Sequence, residues 1–110
     1  MTSRSDSTRP TTPLFSPGRF LATPGALETL ARFQIHPSTL LSRHLSGDWG
    51  DVCIEDAQAN DEAVRQQLRI FSVYVLKPPL EDAQSLGTAK VWVITEADRS
   101  ATTLLLPEEY

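Results

Sequence analysis

The hydrophobic residues change their spacing once along this chain, from a helical period in the first half to near-continuous apolar runs in the second. Thr23-Pro24 opens the first element. A threonine side chain can accept from the free amides of a first helical turn, and proline fits the first position, where no donor is needed. Leu27, Leu30, Ala31 and Gln34 follow at helical spacing, with Ala26 and Phe33 beside them, and predict one short amphipathic helix. His36-Pro37 breaks it, because the residue before a proline avoids helical angles. A second helix is predicted from Ser38 or Thr39 through Leu40, Leu41, His44 and Leu45, ending at Gly47. Gly47-Asp48-Trp49-Gly50 reads as a turn and Asp51 to Ile54 as a brief extended piece. In Glu55 to Gln67 the apolar residues Ala57, Ala63 and Val64 are too sparse for a core face, so this stretch reads as a loop with one helical turn near Asp61 to Gln66.

The second half has the composition of strands. Leu68 to Leu76 is β-branched and aromatic throughout, which predicts a strand buried on most of both faces and central in its sheet. Lys77-Pro78-Pro79 stops it, and the loop to Gly87 has no periodicity. Lys90 to Thr95 and Thr102 to Leu106 are two further strands, joined by the polar link Glu96 to Ala101 into an antiparallel hairpin that Pro107 ends. With Arg19 to Ala22 as an edge strand, the expected fold is α+β: two N-terminal helices packed on one face of a small antiparallel sheet of three to four strands. Residues 1–18, rich in Ser, Thr, Pro and Arg, offer too little apolar surface to offset their ordering entropy. They read as a disordered N-terminal arm, and 19–110 as a single α+β domain.

Length and charge narrow the classes. A chain of 110 residues suits one core. No apolar run approaches the roughly 18 residues of a membrane span, and the N-terminus is polar where a secretory leader would be apolar. The single cysteine, Cys53, cannot close an intrachain disulfide. The expectation is a cytoplasmic protein without a membrane partner. The net charge of −4 is uneven: Asp51 to Leu68 holds five acids against one arginine, and residues 81–110 hold six against two bases. No cluster of Lys and Arg dominates, so extended binding to duplex DNA is not expected.

The chain has no GxGxxG, P-loop, HExxH or GxSxG motif and no cysteine pair, so no cofactor is expected. His36, His44 and Cys53 match no zinc spacing, and no metal is expected. Arg43-His44 is the most suggestive pair, because histidine can act as base and acid near neutral pH. The competing reading has His44 simply favouring the C-terminal dipole of its helix. By strand parity Arg69 shares a face with Phe71 and Val73, and Ser72 and Tyr74 lie opposite with Ile70 and Leu76. Each of these polar groups needs a partner if buried. Arg99 and Thr103 lie near the hairpin tip, where Arg99 serves either the turn or an anion. Trp49, beside Asp48, is either a lid on the core or a stacking surface for a ligand.

Two resemblances follow from these residues. Thr23-Pro24-Gly25-Ala26-Leu27, Arg43-His44 with Gly47-Asp48-Trp49-Gly50, and Trp92 to Ser100 running on to Leu106-Pro107-Glu108-Glu109-Tyr110 resemble a family of small uncharacterised bacterial proteins found on plasmids and integrated mobile elements. A helix ending in His, followed by a small antiparallel sheet bearing Arg, Ser, Tyr and Thr, is similar to the Barnase, EndoU, Colicin and RelE group of metal-independent ribonucleases. That second resemblance implies catalysis by His44 as base or acid, Arg69 or Arg99 as the cation on the phosphorane, and Ser72, Tyr74 or Thr103 as phosphate donors. Arg43, Asp48 and Trp49 are candidate ligand-binding residues beside them. Two readings stand: an endoribonuclease-like or RNA-binding domain of a mobile element, and a non-catalytic module that binds a host or plasmid protein through an acidic surface. They part on whether His44, an arginine and the strand hydroxyls meet in one cleft.

Overall fold

A computed structural model of the chain describes residues 12–78 and 87–110. The first eleven residues of the expected arm and most of the loop before Gly87 lie outside these. The elements run β1 (Arg19–Ala22), α1 (Pro24–Arg32), α2 (Pro37–Leu45), α3 (Ile54–Gln66), β2 (Ile70–Leu76), β3 (Ala89–Thr95) and β4 (Ala101–Leu105), closed by a short 3-10 turn at Pro107–Glu109. The fold is α+β, with one sheet in the order β1-β4-β3-β2. Among the described residues no helix is long and apolar enough to cross a membrane.

Four expectations are corrected. The sheet is mixed: β2-β3 and β3-β4 are antiparallel, and β1 joins the far side of β4 in parallel. The helices are not N-terminal, since β1 precedes them, and there are three. α3 occupies the stretch expected to be mostly loop. Glu55 and Asp56 sit at its positive end, Glu62 bonds Arg65 and Gln66 one turn on, and the chain leaves it through Gln67 in the left-handed region at φ 56°. These local terms add to a narrow apolar stripe, Ala57, Ala63 and Val64, that packs into the core. Finally, β2 is an edge strand and not central.

Most of that edge is closed by other means. Asp51 donates its amide to the Val73 carbonyl at 2.6 Å, and Val73 donates to the Trp49 carbonyl at 3.1 Å. Asn60 of α3 uses both ends of its amide on Phe71, donating to the carbonyl at 2.7 Å and accepting from the amide at 3.1 Å. Gly50, at φ 76°, lets the chain lie against β2: a Cβ there would overlap the Val73 carbonyl oxygen.

Thr23 caps α1, accepting from the Ala26 amide at 3.1 Å, and His36 caps α2 by accepting from the Ser38 amide. Both helices press on the inner face of the sheet, where Leu30, Leu40, Tyr74, Val91, Val93 and Leu104 form the main core. Phe15, Trp49, Ala63 and Ile70 make a second cluster. Phe15 belongs to the expected arm, yet it is 9% exposed, and Leu14 donates its amide to the Leu45 carbonyl. One aromatic ring filling a gap between α2 and α3 fixes this end of the arm to the domain.

Candidate functional site

His44 has no exposed surface, and both of its ring nitrogens are engaged. Nδ1 lies 2.6 Å from Ser72 Oγ and Nε2 lies 2.9 Å from Thr95 Oγ1. Thr95 Oγ1 is 2.6 Å from Thr102 Oγ1, and Thr102 donates to the Pro17 carbonyl at 2.7 Å. The proton order follows from the last link. A carbonyl only accepts, and a threonine has one hydroxyl proton, so Thr102 spends its proton on Pro17 and must accept from Thr95. Thr95 then accepts from Nε2–H. At neutral pH the ring carries that proton alone, so Nδ1 accepts from Ser72. Burial depresses the pKa of His44 to about 4. Phe15 and Trp49 stand edge-on to the ring at 5.3 and 5.8 Å and complete its enclosure.

This chain of bonds links α2, three strands and the segment ahead of β1 into one buried polar line. Thr95 and Thr102, absent from the candidates read in the sequence, are its middle links. Their signal was parity: in the hairpin they fall on the same face as Val91, Val93 and Leu104.

The remaining candidates scatter. Arg69 projects from the opposite face, donating to the Tyr110 hydroxyl at 2.7 Å with Glu96 at 3.9 Å. Arg99, at the hairpin tip, donates to the carbonyls of Ala63, Leu68, Glu96 and Ala97 and so ties the tip to the end of α3. Its guanidinium lies over Phe15 at 5.5 Å, so an aromatic ring separates it from the histidine. Thr103 is half-buried and pairs with Ile94 on the outer face. Trp49 is buried and donates to Asp61 at 3.0 Å, as a lid on the core. His36 caps α2, Cys53 is exposed ahead of α3, and among the described residues no group of three or more His, Cys, Asp and Glu could hold a metal ion.

Arg43, Asp48 and Tyr74 do come together. They line a shallow cleft of about 350 Å³ with Gly50, Asp51 and Lys77. Arg43 lies 4.5 Å over the Tyr74 ring and donates to Asp48 at 2.6 Å, which holds the Asp48 carboxyl below its ordinary pKa. Tyr74 donates to the Asp48 carbonyl, and burial pushes its pKa up to about 12. The cluster pins the turn before Gly50 onto β2.

The outer face of the sheet is different in character. Among the described residues no α-helix packs on it. Phe71, Val73 and Trp92 stand there half-buried across the β2-β3 ladder, with Ile94 and Leu105 filling the gaps between them. Phe71 meets Trp92 edge to face at 4.8 Å, and Tyr110 meets Trp92 at 5.6 Å, giving a row of three aromatic rings. Arg69 lies over Tyr110 at 5.3 Å, and by register Lys90 and Arg19 are on the same face. Phe71 and Trp92 lie on the second apolar parity of the two strands; helices on one face of the sheet were expected, and the meeting of Tyr110 with these rings was not. The chain matches no known protein family, no characterised protein and no solved structure.

Proposed function

We propose that this protein is a non-catalytic binding module that takes single-stranded RNA on the outer face of its sheet. The observation that carries the reading is the aromatic row Phe71-Trp92-Tyr110 on a face that no described helix covers and that also bears Arg19, Arg69 and Lys90. Unstacked bases bind aromatic faces with little regard to sequence, and neighbouring cations hold the backbone. Six of the fourteen acids lie in α3 and the turn before it, at Asp48, Asp51, Glu55, Asp56, Asp61 and Glu62, while Glu96 sits 3.9 Å from Arg69 and offsets part of the positive charge of the face. Cleavage is not part of the proposal. A general base has to reach the proton it removes, and His44 is enclosed with both nitrogens spent.

The test is fluorescence anisotropy of a labelled single-stranded RNA of about ten nucleotides. Contact of the three cations with phosphates predicts a slope of log affinity on log salt of about −2, or roughly a twentyfold loss from 50 to 200 mM salt. Trp92→Ala weakens binding by about tenfold, and the RNA stays intact. Absence of binding by folded protein, or equal binding by Trp92→Ala, would sink the reading. A second reading, a module that binds a protein through an acidic surface, is favoured by exposed acids along α3. There the substitutions that matter are in α3, and Trp92→Ala has no effect.

A further inference from the structure

The two edges of the sheet are treated differently. The β2 edge is closed at Phe71 and Val73, with the backbone of Trp49 and Asp51 on Val73 and the Asn60 side chain on Phe71, and among the described residues only Val75 is left without such a partner. The β1 edge is not. Arg19 and Thr23 direct their amides to β4, on Ser100 and Leu104. Alternate residues of a strand point their N–H and C=O groups to opposite sides, so Phe20 and Ala22 turn theirs outward. Among the described residues nothing hydrogen-bonds those four groups. The strand also carries unusual apolar exposure for an edge: Phe20 is 39% and Leu21 40% exposed, and Leu27 of the following helix is 45% exposed. Edge strands of folded proteins are ordinarily guarded by short length, charge, proline, bulges or a covering segment. Of these devices β1 has only its short length and one charge, Arg19 at its start; Phe20 to Ala22 carries neither charge nor proline.

We propose that β1 is the interface with a second copy of this chain. The register that suits it is self-complementary. With the two-fold axis at Leu21, Phe20 of one protomer pairs with Ala22 of its partner, and the reverse pair is generated by symmetry. The four outward groups of each strand then make four inter-chain hydrogen bonds, in the closely bonded arrangement of antiparallel strands. Leu21 meets the same residue of the partner on the outer face, and Arg19 falls opposite a Thr23, so no like charges face each other. An axis perpendicular to the sheet keeps both outer faces on one side, making an eight-stranded sheet from two four-stranded ones. Such a strand pair is small against the roughly 1,200 Å² at the lower limit of stable interfaces, so the dimer dissociates on dilution.

β1 is positioned for this by the buried polar line. Thr102 holds the Pro17 carbonyl, and Gly18, at φ 64°, passes so close to the hairpin tip that a Cβ would overlap the Arg99 carbonyl oxygen.

Sedimentation velocity on the full chain over a concentration series tests the proposal. The wild type shifts from monomer toward dimer as concentration rises to about 1 mM, while Leu21→Lys and Leu21→Glu are each monomeric at the same concentrations because like charges meet on the axis. Mixing the two variants restores the dimer, a result that loss of folding in either could not give. In the wild type, amide exchange of Phe20 and Ala22 slows at least severalfold between dilute and concentrated samples. A wild type monomeric throughout with unchanged exchange, or a dimer that survives both charge substitutions, overturns the proposal.

Discussion

Lowering the pH from 7 to 5 should weaken this fold through one side chain. A free histidine titrates near 6.5, and His44 in the fold near 4. Between those values the unfolded chain binds a proton that the folded chain refuses, so stability is complete above about pH 6.5 and falls as pH drops toward 4. The linkage relation gives a loss of about 2 kcal/mol by pH 5 and about 3 kcal/mol by pH 4, large against the 5–15 kcal/mol of an ordinary domain. The physical cost is burial: an imidazolium at His44 would lose its hydration among hydroxyl partners only. The assay is urea unfolding of wild type and His44→Asn at both pH values. The variant is less stable throughout, since Ser72 and Thr95 lose their partner, but its pH 7-to-5 difference is smaller than the wild type's by about 2 kcal/mol. The carboxyls held low by local bonds, Asp48, Asp98 and Glu109, lose their contribution only as pH falls through their folded values, below the usual carboxylate range, so they cancel in the comparison. Equal pH dependence in the two proteins would refute the reasoning, as would an NMR spectrum showing the neutral ring protonated on Nδ1.

Three further outcomes follow from the same contacts. Thr102→Val leaves the Pro17 carbonyl without its donor and the Thr95 hydroxyl without its acceptor; thermal unfolding should show a loss of about 2–4 kcal/mol, with faster amide exchange in β1. Asn60→Ala removes both bonds to Phe71 and costs about 2–3 kcal/mol, and the Phe71 amide should become one of the faster exchangers of β2. Gly50→Ala forces the turn off β2, because the new Cβ overlaps the Val73 carbonyl at a backbone angle unsuited to alanine; a loss of several kcal/mol on urea unfolding is expected, and a loss under about 1 kcal/mol would contradict the close approach.

The strands were legible because their residues are β-branched and bounded by polar links or proline, and β3 and β4 fall within a residue of their expected limits. Thr23 and Pro24 marked the start of α1 for the physical reason observed, a side-chain cap followed by a residue needing no donor. α3 was not legible from periodicity. Its apolar face is narrow, Ala63 with Ala57 and Val64 packed on the second cluster, and charge at its ends, side-chain pairs one turn apart and a docked asparagine add to it. The place of β2 was misread because an edge strand whose open side is covered by a turn and an asparagine shows the same apolar composition as a central one. Of the candidate site, the need of Ser72 and Tyr74 for buried partners was readable from strand parity. The identity of those partners depends on tertiary placement. So does the scattering of Arg69 and Arg99 onto separate surfaces, which parity could set only strand by strand.

The most direct test of the central claim is an amide-correlation NMR titration of the full chain with single-stranded RNA, because it reads which surface binds. The account predicts shifts at Phe71, Lys90, Thr103 and the Trp92 indole, with α3 and the Arg43-Asp48-Tyr74 cleft unmoved and the RNA uncleaved. Shifts confined to α3 or to the cleft, or none at saturating RNA, would contradict it.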